Sequence, residues 1–227
     1  MAVDSYPEAR QRMVERDLRG RDITDPRVLA AMARVPRHLF VDPSMAAEAY
    51  GDFPLPIPAG QTISQPYVVA LMTQWAAIQR GQKVLEVGTG SGYQAAVLAC
   101  LTEQVYSIEL IPELAQTAIE LIPELAQTAA ARLARLGYSQ VKVKSGDGYL
   151  GWPEYAPFDA ILVTAAAPEV PPALKAQLQE GGRLIIPLKT FGGFQILTRL
   201  TKHGDRFTTE RICPVSFVPL VNPQIAR

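Results

Sequence analysis

Residues Val84–Gly92 read Val-Leu-Glu-Val-Gly-Thr-Gly-Ser-Gly, and this stretch decides the fold. Val84–Val87 is a short, largely apolar run of the kind that forms a buried parallel strand. It ends at three glycines spaced two apart, Gly88, Gly90 and Gly92. Glycine adopts positive φ without strain and has no Cβ, so the backbone of this loop can approach a nucleotide-like group closely. The stretch therefore predicts a strand followed by a cofactor-binding loop.

The length and composition are those of one globular domain. The chain has 227 residues, 48% of them hydrophobic, which suffices for one substantial core. Its 22 basic and 22 acidic side chains cancel, and no run of Lys or Arg suggests a nucleic-acid interface. The charged N-terminus is unlike a signal peptide, and the apolar runs are too short to cross a membrane. We predict a cytoplasmic protein that binds neither nucleic acid nor membrane.

The cysteines and histidines do not suggest a metal site. Cys100 and Cys213 each lie in an apolar context, which favours buried free thiols over a disulfide. His38 and His203 match no recognisable spacing of metal ligands. We therefore predict that no metal is bound.

Upstream of the glycine loop, the sequence predicts a helical annex and then an irregular segment that covers another surface. Two short helices are expected over residues 6–32, with Asp25-Pro26 as the start of the second. Val35–Ile63 is rich in proline, which favours irregular backbone, often beside a binding site. A helix is predicted over Pro66–Ile78, closed by Gly81.

Downstream of the glycine loop, strands and helices alternate as in a doubly wound, Rossmann-like α/β fold. Two stretches of alternating polarity around Gly204-Asp205, Phe194–Leu200 and Phe207–Val215, predict a hairpin at the sheet edge. We expect a mostly parallel sheet with this antiparallel C-terminal hairpin. The single domain would comprise residues 1–80 as the annex and covering segment, 81–190 as the cofactor-binding core and 191–227 as the hairpin region. The other predicted elements are strands Lys83–Val87, Gln104–Glu109, Gln140–Lys144, Phe158–Thr164 and Gly182–Pro187 and helices Tyr93–Leu101, Pro171–Gln179 and one ending near Leu136.

The glycine spacing distinguishes between cofactors. Dinucleotide sites use Gly-x-Gly-x-x-Gly, whereas here the spacing is Gly-x-Gly-x-Gly, with Glu86 two residues before Gly88. This spacing is typical of S-adenosylmethionine-binding proteins, so we predict that cofactor. A tight turn without a ligand is the structural alternative. On the ligand interpretation, the cofactor contacts Glu86, Gly88, Thr89, Gly90 and Gly92.

Acidic residues at the ends of later strands are further candidates for cofactor binding. Glu109 stands 21 residues after Gly88 and ends its strand, a position suited to accepting hydrogen bonds from ribose hydroxyls. Asp147 and the adjacent Gly148 follow the next strand, where Asp147 could accept from an adenine amino group. A turn aspartate between two glycines is the alternative for Asp147.

An exact repeat begins at the end of the predicted strand Gln104–Glu109. Ile108–Ala118 is repeated letter for letter as Ile119–Ala129, so Glu120 is a copy of Glu109. Glu120 lies 32 residues after Gly88, beyond the usual span for a ribose contact. We therefore assign the ribose to Glu109 and expect Glu120 to be a solvated surface carboxylate.

Simple lengthening of the following helix is disfavoured. Eleven extra residues would extend a helix by about 16 Å and overshoot the start of the next strand. Pro123 would then lie inside the helix, at a cost of about 3 kcal/mol or more. We predict that the packed helix starts at Pro123, that Leu110–Ile122 is displaced, and that no straight helix runs continuously from Pro112 to Leu136. The repeat itself is expected to have no function.

Over nearly its whole length, the sequence resembles the protein-L-isoaspartate O-methyltransferase family. The glycine motif is shared by many methyltransferases, whereas Gly60–Tyr67, which reads Gly-Gln-Thr-Ile-Ser-Gln-Pro-Tyr, is much more specific. The other matching stretches are Arg34–Val41, Gly146–Gly148, Phe158–Ala166 and Phe217–Val221.

The resemblance implies transfer of a methyl group from S-adenosylmethionine to the free α-carboxylate of L-isoaspartyl residues in peptides and proteins. The products are S-adenosylhomocysteine and a methyl ester, which closes to a succinimide whose hydrolysis restores some normal aspartate. Ser64 corresponds to the family's active-site serine. Thr62, Ile63 and Val218 are candidates for lining the substrate site, with packing as the alternative. We expect a monomer, whose assembly the repeat could alter.

The chemistry asks little of Ser64. A carboxylate is already nucleophilic and a sulfonium methyl already electrophilic, so catalysis needs positioning and no general base. Ser64 would orient the carboxylate by a hydrogen bond. It is also placed to cap the helix that begins at Pro66, whose N-terminus would favour an anionic substrate group.

The sequence departs from the family pattern at two places, and two rival functions stay open. Pro58 stands where bacterial members usually carry the first glycine of Gly-x-Gly-Gln, and the repeat is not expected in the family. The alternatives are an NAD-linked oxidoreductase, which the glycine spacing disfavours, and a noncatalytic S-adenosylmethionine-binding protein, if the repeat damages the site.

Overall fold

The computed structural model describes residues 6–110 and 122–221, and every structural statement below refers to these ranges. No helix within them is both long and apolar enough to span a membrane.

The N-terminal part is a helical layer followed by a short hairpin. Asp25 begins the second helix as predicted, because its carboxylate accepts the backbone N–H of Arg27 at 2.8 Å. The elements are α1 (Pro7–Arg12), which continues as a π-helix over Met13–Arg19, α2 (Pro26–Arg34), 3₁₀ turns at Arg37–Phe40 and Pro43–Met45, β1 (Leu55–Ile57), β2 (Gln61–Ile63) and α3 (Pro66–Ala76).

Two features of this part differ from the sequence predictions. The covering segment contains the antiparallel pair β1–β2, since a two-stranded ribbon tolerates Pro56, which needs no ladder N–H at a free edge. Helix α3 ends at Ala76 because Ala77 adopts the left-handed conformation, with φ of 48°. Ala77 therefore ends the helix that Gly81 was expected to close.

A seven-stranded sheet forms the centre of the molecule. Its strands are β3 (Lys83–Val87), β4 (Gln104–Glu109), β5 (Lys142–Ser145), β6 (Phe158–Val163), β7 (Leu178–Lys189), β8 (Gln195–His203) and β9 (Arg206–Val215). Their order is β5-β4-β3-β6-β7-β8-β9. The first five in this order are parallel, and β8 and β9 are antiparallel additions joined at Gly204-Asp205. The predicted fold class is confirmed.

The strand order reverses at β3. The chain proceeds from β3 to β4 and β5 on one side and then returns to β6 on the other. In an open α/β sheet, such a reversal leaves a crevice outside the carboxyl ends of the strands, where ligands bind. The glycine loop connects β3 to helix α4 (Tyr93–Ala99) and lies at this crevice.

The observed strand boundaries agree best with the predicted ones where both neighbouring strands are parallel. β3 and β4 match their predictions residue for residue. β7 begins at Leu178, four residues before the predicted Gly182, and helix α6 (Pro172–Ala176) is correspondingly shorter. The register shift between Phe158 and Ala160 accommodates the early start, which Gly181-Gly182 obscured in the sequence.

Helix α5 (Ile122–Arg135) carries residues of the second copy of the repeat, and Pro123, the predicted start, lies in its described part. Its buried positions include Ala126, Ala129 and Leu133. The predicted displacement of Leu110–Ile122 and the predicted interruption of the helix concern chiefly residues 111–121, which lie outside the described residues. Both stay predictions.

The two faces of the sheet bury separate apolar clusters. On β3, Val84 packs with the N-terminal layer, whereas Leu85 and Val87 pack with the opposite cluster. Strand alternation places Glu86 on the same face as Val84. A carboxyl group thus occupies a core position and is shielded from solvent.

Candidate active site

A cleft of about 960 Å³ opens at the carboxyl edge of the sheet. The glycine loop, the ends of β3, β4 and β6, the segment around β2 and the chain after β9 form its walls. It contains all but two of the predicted site residues, the exceptions being Gly92 and Asp147. The predicted residues in the lining are Thr62, Ile63, Ser64, Glu86, Gly88, Thr89, Gly90, Glu109, Gly148 and Val218.

The three glycines of the loop have different physical reasons to be glycine. Their φ angles are 102° at Gly88, 51° at Gly90 and 87° at Gly92. A Cβ on Gly88 would lie 2.3 Å from the Thr164 hydroxyl, and one on Gly92 would lie 3.3 Å from the Leu133 side chain. At Gly90 the nearest atom would be 3.6 Å away. Packing therefore excludes a Cβ at Gly88 and Gly92, whereas Gly90 is favoured by its positive φ and lines the cleft with room beside it.

Glu86 lies at the bottom of the cleft and is fully buried. Its Oε2 accepts the Ser107 hydroxyl at 2.5 Å, and the Thr89 hydroxyl lies 2.6 Å from that of Ser107. Burial raises the pKa of Glu86 to about 8; the Ser107 bond opposes this, and the nearby charge of Glu109 adds to it. Glu86 Oε1 is buried without a hydrogen-bond partner, although the residue lines the cleft. A cationic ligand with N–H donors, such as S-adenosylmethionine, would satisfy this oxygen.

Glu109 is held by the backbone around the glycine loop. Its Oε2 accepts the Gly90 N–H at 2.6 Å and its Oε1 accepts the Leu110 N–H at 2.9 Å. Burial raises the pKa of this carboxyl, and the N–H donors oppose that rise. The carboxylate is therefore rigid and lies on the wall of the cleft, as expected of a ribose-binding residue. Its copy Glu120 lies outside the described residues.

Asp147 is a turn residue in the structure. Its carboxylate accepts the Tyr149 N–H at 2.8 Å, and its backbone oxygen accepts the Leu150 N–H at 3.1 Å. Gly148 lines the cleft, whereas the adjacent Asp147 does not. A Cβ on Gly148 would lie 2.5 Å from the Val87 side chain. The geometry gives Asp147 the turn role that was its alternative, and its contact with adenine stays a prediction.

A second cleft, of about 1180 Å³, adjoins the first. Four residues line both clefts: Thr62, Ser64, Thr164 and Val218. The remaining walls come from Arg21, from the chain on either side of Ser64 and from the end of β9. They include Tyr67, Cys213, Val215 and Phe217. Both cysteines are free, as predicted, but each is only half-buried, Cys213 because it lines this cleft. A reaction between groups bound in the two clefts would take place beside Ser64.

The segment that carries Ser64 is fixed by a remote carboxylate, Asp52. Asp52 Oδ1 accepts the Tyr67 N–H at 3.1 Å, and Oδ2 accepts from Gln65 Nε2 at 2.8 Å and from Arg21 Nη1 at 3.1 Å. The Arg21 guanidinium also stacks 3.4 Å above the ring centroid of Tyr67. Asp52 thus binds both ends of the turn that follows Ser64.

The expected capping role of Ser64 is wrong. The N-cap residue of α3 is Gln65, and its own side chain makes no capping hydrogen bond. The N-terminus of α3 was expected to favour an anionic substrate group, but the Asp52 carboxylate accepts the Tyr67 N–H there. Ser64 is half-buried on the wall between the clefts, so its position suits a contact with a ligand.

Sequence reasoning missed Ser107, Thr164 and Asp52. Ser107 is opposite Glu86 in the β3–β4 register, so a polar residue inside an apolar strand was the available signal. Thr164 follows β6, and its hydroxyl donates to the Gly88 carbonyl at 2.7 Å. No local pattern marks Asp52, whose partners lie 13 to 31 residues away. No group of three or more potential metal ligands occurs in the described part of the chain.

The sequence of the chain is similar to those of known methyltransferases. The family model described as protein-L-isoaspartate(D-aspartate) O-methyltransferase matches residues 8–224. A protein-L-isoaspartate O-methyltransferase of Opitutus terrae is 54% identical over 92% of this chain and 85% of its own length. One of Methylorubrum extorquens is 55% identical over 96% of this chain and 91% of its own length.

Solved structures that resemble the fold of this chain carry the same description as its sequence relatives. A protein-L-isoaspartate O-methyltransferase superposes with a TM-score of 0.80 at 28% identity, over 94% of this chain and 66% of that one. A Plasmodium falciparum structure described as a protein-L-isoaspartate O-methyltransferase in complex with S-adenosyl-L-homocysteine gives a TM-score of 0.76 at 27% identity, over 93% and 98%.

Proposed function

The chain belongs to the protein-L-isoaspartate(D-aspartate) O-methyltransferase family, and on that premise we propose how its two clefts divide the reaction. Its activity is S-adenosylmethionine-dependent methylation of the free α-carboxylate of L-isoaspartyl residues. The cleft beside the glycine loop takes the cofactor, and the adjoining cleft takes the acceptor polypeptide. The observation that carries this division is the wall shared by the two clefts, which contains Ser64.

The first cleft fits the cofactor in charge and shape. The bound cofactor supplies a sulfonium methyl group that a carboxylate oxygen can attack. Glu86 and Glu109 present carboxyl oxygens that accept hydrogen bonds from a positively charged ligand, while Gly90 leaves room for its close approach. We assign the ribose to Glu109, and we retain Thr89, Gly88, Gly92 and Gly148 as residues that shape the site. No residue is required to generate the nucleophile.

The second cleft fits the acceptor. Ser64 donates a hydrogen bond to the isoaspartyl carboxylate and holds one oxygen in line with the methyl group. With the cofactor bound, this oxygen would form a bond to the methyl carbon, and the electron pair of the broken carbon–sulfur bond would stay on sulfur. Thr62, Ile63 and Val218 limit the movement of the acceptor and exclude water from the shared wall. Catalysis then comes from orientation, since effective molarity alone can lower such a barrier by about 7 to 11 kcal/mol.

The test is methyl incorporation from methyl-labelled S-adenosylmethionine into an isoaspartyl peptide and its aspartyl twin. We expect base-labile label in the isoaspartyl peptide alone. Label in neither peptide, despite cofactor binding measured by calorimetry, would support the noncatalytic alternative instead. The NAD-linked alternative predicts reduction of NAD and no methyl transfer.

The role of Ser64 is tested separately. Ser64→Ala removes one hydrogen bond to a charged group, so kcat/KM for the isoaspartyl peptide should fall about 10- to 100-fold. The KM for S-adenosylmethionine should not change. Ser44→Ala, which alters an exposed serine in a distant 3₁₀ turn, is the matched control. Full activity of Ser64→Ala would remove Ser64 from the reaction.

We further propose that the whole chain acts as one methyltransferase domain in the cytoplasm and as a monomer. The annex and covering segment (1–80), the core (81–190) and the hairpin region (191–227) each contribute walls to the clefts. Sedimentation of the purified chain tests the monomer.

A further inference from the structure

The turn between β7 and β8 carries two phenylalanines whose rings lie in solvent. The relative exposure of Phe191 is 108% and that of Phe194 is 75%. These are the two most exposed large apolar residues in the described part of the chain, ahead of Leu150 at 52%. A single exposed apolar side chain is ordinary, but two at one projecting turn form an apolar patch that calls for a partner.

The backbone, and not the rings, determines the conformation of this turn. The Thr190 N–H and hydroxyl both donate to the Phe194 carbonyl, at 2.7 and 3.0 Å, and the Gly193 N–H donates to the Thr190 carbonyl at 3.1 Å. Gly192 and Gly193 supply the positive φ angles that the turn requires, 100° and 85°. The phenyl groups are therefore available for binding without a role in folding.

The turn is continuous with the acceptor cleft. Gln195, next to Phe194, donates from Nε2 to the Phe217 carbonyl at 3.0 Å and accepts the Phe217 N–H at 2.7 Å. Phe217 lines the acceptor cleft and precedes Val218 on the shared wall. The chain that leaves β9 thus connects the wall beside Ser64 directly to the base of this turn.

We propose that Phe191 and Phe194 form a docking site for apolar side chains of the acceptor polypeptide, a few residues away from its isoaspartyl residue. This rests on the proposed function, because a polypeptide acceptor must extend beyond the cleft that holds the methylated residue. An extended peptide spans about 3.3 Å per residue, so neighbouring positions reach past the cleft wall.

The chemistry of the patch selects one kind of acceptor. Residues 190–195 carry no charge, so the contact does not depend on the net charge of the polypeptide. A folded protein buries most of its large apolar side chains, whereas an unfolded or flexible segment exposes them. The docking site therefore favours isoaspartyl residues in apolar, unfolded segments.

The experiment compares two isoaspartyl peptides of equal length that carry either leucine or serine at positions three to six residues on either side of the isoaspartyl residue. With the wild-type chain, the leucine peptides should have the lower KM. The double variant F191S/F194S should raise their KM about tenfold, with kcat unchanged. The KM of the serine peptides and the affinity for S-adenosylmethionine should not change. F191L/F194L, which keeps the patch apolar, is the matched control and should retain the preference.

Each other outcome overturns the proposal. Equal KM values for leucine and serine peptides with the wild-type chain would show that no apolar docking occurs, while methylation of both would leave the proposed function intact. No methylation of any isoaspartyl peptide would refute the proposed function and this inference with it. Self-association, or binding to phosphatidylcholine vesicles, that F191S/F194S abolishes without any change in peptide KM would assign the patch to a second copy or to a lipid surface.

Discussion

The glycine loop and the segment that carries Ser64 face each other across one cleft but are held in different ways. The glycine loop is fixed by its neighbours in the sheet, through Thr164 and Glu109, and by α5. The Ser64 segment lies outside the main sheet and is fixed by the side chain of Asp52. The cofactor half is therefore part of the core, whereas the acceptor half depends on a few polar contacts that can be altered one at a time.

The largest effect is expected at Gly90. Gly90→Leu would place a side chain in the cofactor cleft at a φ of 51°, and S-adenosylmethionine affinity should fall about a thousandfold, as measured by calorimetry. Gly204→Leu is the matched control, because Gly204 has a φ of 60° and open space around a Cβ. It should cost similar stability and leave affinity intact. Equal loss of affinity in both variants would contradict the assignment of Gly90.

A second prediction concerns the proton on Glu86. Its pKa of about 8 in the folded chain lies above the ordinary 4.5, so between these values the folded protein holds a proton that the unfolded chain has released. The free energy of unfolding should therefore fall as pH rises from about 5 to about 8, by about 3 kcal/mol relative to Glu86→Gln. Urea denaturation of both chains across this range measures the difference. A parallel pH dependence would show that Glu86 is ionised throughout.

A third prediction tests the acceptor half alone. Asp52→Asn removes the charge that Arg21 pairs with and replaces one of the two acceptor oxygens by an NH2 donor, so either Gln65 or Tyr67 loses its acceptor and kcat/KM for the isoaspartyl peptide should fall about tenfold. The KM for S-adenosylmethionine should stay as in the wild type. Asp42→Asn, an exposed carboxylate in a distant turn, is the control. A larger effect on the cofactor than on the acceptor would show that the two halves are not held independently.

The smallest effect is expected from removing one copy of the repeat. Deletion of residues 110–120 joins Glu109 to Leu121 and restores one uninterrupted Ile-Glu-Leu-Ile-Pro sequence. Glu109, the glycine loop and the buried positions of α5 are all retained, so kcat and both KM values should change by about twofold or less. Steady-state kinetics of the deletion variant measures this. A loss of activity would give the repeat a function.

The cofactor half was largely predictable because local patterns determine it. The apolar strand, the three glycines and the carboxylate at the end of β4 lie at positions that the fold class fixes, so Glu86, Gly90 and Glu109 fall in the cleft as expected. The sequence did not reveal which glycines are required by packing, since Thr164 and Leu133 come from distant elements.

The acceptor half was predictable only through the resemblance. The position of Ser64 followed from the family motif, but the contacts of Asp52 join residues far apart in the sequence. The two-stranded ribbon β1–β2 was also missed, because its three-residue strands are too short for a periodic pattern.

Inside a cell, the cleft beside the glycine loop meets both S-adenosylmethionine and ATP. S-adenosylmethionine shares its adenosine with ATP, and the two differ mainly in the sign of the charge attached to the ribose. The described lining contains Glu86, which holds a proton at neutral pH, and Glu109, and it contains no Lys, Arg or His. A triphosphate bound there would meet no cation in the described lining to neutralise its charge. The lack of a cation in the described lining therefore disfavours the abundant nucleoside triphosphates, independently of the shape of the cleft.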